Sequence, residues 1–184
     1  MIDLTTRDDA PALLGHWRLD VYDGNVERRP LTRAQQRENT LAHQSGLLLP
    51  LHAGEIVSRP IDVYEGDNLV VTVGRQLTMD RIYGLSSVAA ISRTGVGTSA
   101  TAAALGNTTL TGGVFKVFDS TPIRSSLTVT SITTFGTSEA NISWNELALD
   151  NSGTLLNRIA PIGPFAKTSA VSISATCAVT IAAS

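Results

Sequence analysis

The sequence predicts a mainly β protein: a β-sandwich or jelly-roll-like domain with an N-terminal β-hairpin arm and one short helix. Three observations lead there. Apolar stretches are short and are cut by Gly, Ser, Asn and Asp turns. The last stretch alternates strictly, with Val171, Ile173, Ala175, Cys177, Val179 and Ile181 at period two. A single segment, 33–49, combines strong helix formers with start and stop signals.

Residues 1–14 read as an arm with little to bury. Residues 16–22 alternate, with Trp17, Leu19 and Val21 on one face, which predicts a half-buried strand. Asp23-Gly24 is a hairpin turn signal, and 26–32 is the expected return strand, held to an edge by Pro30. Thr32 is placed to cap the helix over 33–49, and Gly46 and Pro50 to end it. Short apolar pieces follow at 56–57, 61–64 and 69–73, with Glu65-Gly66-Asp67-Asn68 as the turn between the last two. Residues 82–91 read as a further, less regular strand.

From Thr94 the composition changes. Residues 94–113 are small, polar and Gly-rich, which predicts a long surface loop. Strands are then expected at 114–118, 126–134, 141–149, 154–159 and 170–181, with Asp150-Asn151-Ser152-Gly153 turning a hairpin. Within 141–149 the apolar phase slips at Asn145-Glu146, which predicts a bulge. If the hairpin turns about Asn151-Ser152, Glu146 falls roughly opposite Asn157 and diagonal to Arg158, so a structural Glu–Arg pair across the strands is expected. Cys177 falls on the apolar face of the last strand, as a small buried hydrophobe. The expected division is an arm over 1–52 and a sandwich domain over 53–184.

Charge is unevenly spread. Of 30 charged side chains, residues 1–93 hold 22 and residues 94–184 hold 8, while the second half carries 28 Ser and Thr. Either these hydroxyls cover the second half, or part of it is buried against other copies or other proteins. The net charge of -2 speaks against a protein that coats nucleic acid. No apolar run approaches the roughly 20 residues that cross a bilayer, and the acidic start does not resemble an export signal.

Candidate chemistry is sparse. Gly95-Val96-Gly97-Thr98-Ser99-Ala100 fits a dinucleotide pattern, with Asp119 near the position of a ribose-binding acid. The helix that must open there has room only from Ser99 to about Leu105, so a small nucleotide-binding enzyme stays as an alternative behind the loop reading. His16, His43 and His52 lack metal-site spacing, no serine sits in a nucleophile elbow, and one cysteine allows no intrachain disulfide. No catalytic, cofactor or metal residue is therefore predicted, and the chain is expected not to be an enzyme. A carbohydrate-binding sandwich would need exposed aromatics, and the few present read largely as core.

Several pieces, in order, resemble one family of proteins. They are Gly15-His16-Trp17-Arg18-Leu19-Asp20-Val21-Tyr22-Asp23-Gly24 with Asn39 and Gly46-Leu47; Gly95-Val96-Gly97-Thr98 leading to Leu105 or Leu110; and Asn145-Glu146-Leu147-Ala148-Leu149 with Gly153-Thr154-Leu155-Leu156-Asn157-Arg158 and Phe165-Ala166-Lys167-Thr168. Together they resemble tailed-bacteriophage virion structural proteins. The resemblance implies a non-enzymatic β-sandwich subunit in the virion, assembled in the host cytoplasm. Its partners would be copies of itself, as a trimer, and the major capsid protein or tail proteins. Two roles fit: a capsid decoration or cement protein, favoured because the chain has no room for a shaft and head, or a tail, baseplate or fibre-base protein. The arm is expected to dock through Trp17, Arg28, Arg29, Arg33 and Arg37, and to be removable at 1–32 without loss of fold.

Overall fold

The computed structural model describes residues 13–85, 89–163 and 165–181. The expected mainly β class is what the chain adopts. The strands are β1 (Leu13–Asp23), β2 (Asp62–Val70), β3 (Arg93–Gly97), β4 (Val114–Val117), β5 (Ile123–Ser125), β6 (Thr128–Phe135), β7 (Ser143–Trp144), β8 (Glu146–Asp150), β9 (Leu155–Ile159), β10 (Phe165–Ala166) and β11 (Val171–Ile181). Two helices interrupt them, α1 (Arg33–Gln44) and α2 (Thr72–Tyr83). Nine strands form one antiparallel sheet in the order β4-β3-β8-β9-β2-β1-β11-β6-β5, and β10 pairs with β7 separately.

The sheet curls until its two ends approach. Just past β4, the Asp119 amide donates to the Ile132 carbonyl of β6 at 2.9 Å, and Asp119 Oδ1 accepts from the Thr134 amide at 3.0 Å. The sandwich is thus one sheet folded over its own concave face. That face holds Trp17, Leu19, Val21, Phe135, Leu147, Leu149, Ile173, Ala175 and Cys177, and Trp144 of β7 belongs to the same core.

The centre of the sheet corrects the expected arm. β1 pairs along its whole length with β11 and along most of it with β2. No hairpin partner forms over 26–32, where a single bridge joins Arg28 to Ile56. The physical reason is size matching. Trp17 lies between Cys177 on one side and Gly66 on the other, and Leu19 faces Ala175, so bulky β1 side chains fill space that small neighbours leave. Trp17 is 1% exposed and is a core residue, not a docking contact. Removing residues 1–32 would delete a central strand. Residues 1–12 lie outside the described residues.

Other differences share that origin. Glu65-Gly66-Asp67-Asn68 lies inside β2 and not in a turn: Gly66 makes room beside Trp17, and a Cβ on the facing Gly15 would fall 1.7 Å from Asn68 Oδ1. The stretch 69–73 is the end of a strand and the start of α2, a helix beyond the one expected. α2 packs Gly74 onto β9, where a Cβ would meet the Leu156 carbonyl oxygen at 2.0 Å. No strand spans the described part of 82–91, which ends α2 at the left-handed C-cap Gly84 and continues as coil.

α1 is capped as expected. Thr32 accepts from the Gln35 amide, and the Gln35 side chain accepts from the Thr32 amide. The strand over 141–149 breaks at Asn145 between β7 and β8, where the phase slip lies.

Candidate functional site

β8 and β9 carry an extended buried polar site. Glu146 and Arg158 are 1% and 3% exposed, and Arg158 Nε donates to Glu146 Oε2 at 2.7 Å. The remaining groups of the pair hold the loop between β3 and β4. Glu146 Oε1 accepts from the amides of Ser99 (3.1 Å) and Thr111 (2.7 Å). Arg158 donates to the carbonyls of Ala102 (3.3 Å) and Thr101 (3.0 Å) and to Asn107 Oδ1 (2.9 Å). A buried ion pair with its other lone pairs and protons satisfied can hold its charges in the interior. This one joins a hairpin to a loop that has no regular structure of its own.

The same geometry settles what Gly95 and Gly97 do. Both lie in buried β3 and not in a surface loop, and no helix opens after them. A Cβ on Gly97 would stand 2.5 Å from Glu146 Oε1, and one on Gly95 2.5 Å from the Phe115 ring. The Ser99 amide, which a phosphate would need, is committed to Glu146. The glycines make space for a carboxylate and a ring, and the dinucleotide arrangement is not built.

The remaining candidate groups lie apart. His16 Nδ1 is 2.9 Å from Asp67 on the outer face, and His52 Nε2 is 2.6 Å from Glu38 beside α1. Among the described residues no three His, Cys, Asp or Glu side chains cluster as metal ligands. Cys177 is buried, receives a long contact from Asn157 Nδ2 at 3.6 Å, and has its pKa pushed up to about 12 by burial. Its thiol is a packing group in the folded state. Among the described residues no helix is long and apolar enough to cross a membrane.

The predicted docking arginines divide. Arg28 is turned inward, where it pairs with Asp119 and donates to Thr134 Oγ1 and the Gly54 carbonyl, both at 2.7 Å. It fastens the excursion between β1 and β2 to the seam of the curl. Arg29 is exposed and pairs with Glu55 at 2.9 Å. Arg33 and Arg37 lie one turn apart on α1, both exposed.

α1 buries none of its residues. It is held by its tether: Asn39 Oδ1 accepts from the His52 amide and Asn39 Nδ2 donates to the His52 carbonyl, each at 2.8 Å. Between these two residues stand Leu41, Leu47, Leu48 and Leu51, all exposed, Leu48 at 95%. Elsewhere, the open end of the curl forms an apolar cavity of about 280 Å³ between Leu13, Ile91, Phe118, Leu127, Val129 and Ile181.

No protein-family model, curated protein or solved structure matches the chain.

Sequence reasoning missed three polar groupings that the fold assembles: Arg28 with Asp119, Arg93 with Asp150, and Lys167 with Asn141. Each joins residues from distant parts of the chain. The available signal was only that a charge-poor second half must give each remaining charge a partner.

Proposed function

We propose that this chain is a non-enzymatic structural component of a bacteriophage virion: a capsid decoration or cement protein that attaches to the shell as a homotrimer. The observation that supports this reading is the excursion from Gly24 to Ile61. It carries a helix with nothing buried, the exposed arginines Arg33 and Arg37, and leucines left in water, above all Leu48. Exposed apolar groups rimmed by charge are what a protein-docking surface presents. The resemblance in the β1, β3 and β8–β9 segments supplies the class of particle. Self-association is assigned to the open end of the curl, where Leu127, Val129 and Ile181 surround an apolar cavity. The docking element is therefore α1 and the segment after it, in place of β1.

The test uses capsids assembled without this protein. Full-length protein is expected to co-sediment with them, and the double substitution Leu48→Ser, Arg37→Glu to abolish co-sedimentation while leaving the circular dichroism spectrum and Tm unchanged. Full binding by the double variant, or binding to isolated tails in place of capsids, overturns the reading. Light scattering on purified protein is expected to give three copies per particle in solution, and a monomer at all concentrations overturns the trimer.

A further inference from the structure

The apolar cavity of about 280 Å³ at the open end of the curl owes its place to side-chain size along two paired strands. Running toward the mouth, β6 presents Phe135, Thr133, Ser131 and Val129 to the concave face, opposite Ile173, Ala175, Cys177 and Val179 of β11. Phe135 and Ile173 are fully buried and fill the far end. Toward the mouth only small side chains face each other, and the space between them stays open. Leu149 and Leu156 line that space from β8 and β9, and Phe118 lines it from the segment after β4.

Two hydroxyl residues belong to the lining, and they differ. Thr78 Oγ1, from α2, donates to the Gly74 carbonyl at 3.0 Å. Ser131 is 5% exposed, and its hydroxyl has no hydrogen-bond partner among the described residues. Thr133, the next inward residue of β6, shows the alternative: its hydroxyl meets that of Thr94 at 2.8 Å. A serine side chain is one CH₂ bearing its hydroxyl, so a serine in the lining presents that hydroxyl to the cavity. A buried hydroxyl that has given up water without gaining a partner is costly, and a ligand that supplies the missing bond recovers the cost. No Lys, Arg, His, Asp or Glu is among the described lining residues, so nothing there balances a charge.

We propose that the cavity binds a small neutral amphiphile, a mostly apolar molecule with one hydrogen-bonding group such as a medium-chain alcohol, and that Ser131 holds that group. The size fits. An apolar cavity of about 150 Å³ takes up benzene, and this one has almost twice that volume. Ligand sites are mainly apolar, with a few polar groups that fix orientation, and they form in the mouths of curled sheets. The apolar body lies against Leu149, Leu156 and Phe118, and the way in passes the half-buried Val179 and the exposed Val129. This inference goes beyond the structural role proposed above. The rim of the cavity is the surface assigned to self-association, so copies that pack there enclose the bound molecule.

The test uses the full-length protein and N-phenyl-1-naphthylamine, a neutral apolar dye that brightens out of water. The dye is expected to bind, 1-octanol to displace it, and saturating 1-octanol to raise the Tm. Octanoate, of equal length but charged, is expected to displace the dye at least about tenfold more weakly. Ser131→Ala is expected to weaken 1-octanol about fivefold and to leave n-octane unchanged. Val179→Phe narrows the way in and is expected to abolish dye binding with the circular dichroism spectrum unchanged; should that variant unfold, Ser131→Ala carries the test. No binding by the native protein, or undiminished binding by folded Val179→Phe, overturns the site. Equal displacement by octanoate overturns the neutral class of ligand, and an unchanged affinity for 1-octanol in Ser131→Ala overturns the role of the hydroxyl. Light scattering on the same samples reads the number of copies, so a failure of the trimer is a separate result and leaves these outcomes standing.

Discussion

Thr94 Oγ1 and Thr133 Oγ1 meet at 2.8 Å across the concave side of the curled sheet. They belong to β3 and β6, which are not neighbours in it. Both residues are buried, so each hydroxyl has replaced water with the other. Thr94→Val or Thr133→Val alone leaves one buried hydroxyl without its partner and should cost about 1–3 kcal/mol. The double substitution removes the need for a partner and should cost less than the sum of the two. Urea unfolding of the four proteins measures this directly, and strict additivity would contradict the contact.

Glu146→Gln and Arg158→Met each strand half of a buried ion pair. Each should lower stability by about 3–5 kcal/mol, the usual penalty for an uncompensated buried charge. The effect should also be seen at a distance. Amide exchange at Ser99 and Thr111, whose N–H groups bind Glu146, should accelerate more than exchange in β1.

Gly74→Ala tests the packing of α2 on β9. The added methyl meets backbone atoms of Leu156, which cannot rotate away. The helix must shift, and the cost should be about 1–3 kcal/mol or more. Gly153→Ala, where a Cβ meets nothing, serves as the matched control and should leave the thermal midpoint nearly unchanged.

Cys177 should be inert to a thiol reagent in the folded protein at pH 8. With the pKa pushed to about 12 by burial, only about one thiol in ten thousand is ionised at that pH. Labelling should therefore follow unfolding. The folded value is raised, so its stabilising contribution is complete below the ordinary thiol value of 9.0 and is lost as pH rises toward 12. Cys177→Ser should flatten that alkaline decline.

Ile173→Asp should be far more damaging than Thr180→Asp. Ile173 is fully buried on the concave face, whereas Thr180 is half-buried and bonded to Thr128 at 2.7 Å. The period-two reading of β11 identified the inward set correctly but not its depth. Val179 belongs to that set and is only half-buried, because it stands at the open mouth of the curl.

The readable parts of the sequence were those whose signals act locally. Thr32 and Gln35 cap α1 within one turn, and Glu146 and Arg158 lie on the two arms of one hairpin and pair as expected, although a register shift at Leu149/Asp150 sets Asn157 opposite Leu149 and not opposite Glu146. The unreadable parts use the same residue types for distant purposes. Gly66 and Asn68 read as a turn but serve Trp17 and Gly15 across the strand, and Gly97 reads as a loop but admits Glu146. The abundance of Ser and Thr was ambiguous for a related reason. Thr94, Ser131, Thr133, Ser172 and Ser174 are buried, so part of that polar content lines the interior and does not face water. Lys167 and Asn141 gave no signal, because only the pairing of β7 with β10 brings them together.

β1 runs antiparallel to β11 in full register, from Leu13 opposite Ile181 to Asp23 opposite Val171. β1 is synthesised well before β11 and therefore waits for it. Until β11 leaves the ribosome, Trp17, Leu19 and Val21 have no partner strand there to cover them, and the long-range contacts they need make folding slow. A nascent chain in that state exposes an apolar strand with unpaired edges, a template for association with other copies. Yield in a heterologous host should therefore depend on holdase capacity and on growth temperature more steeply than the stability of the finished protein would indicate.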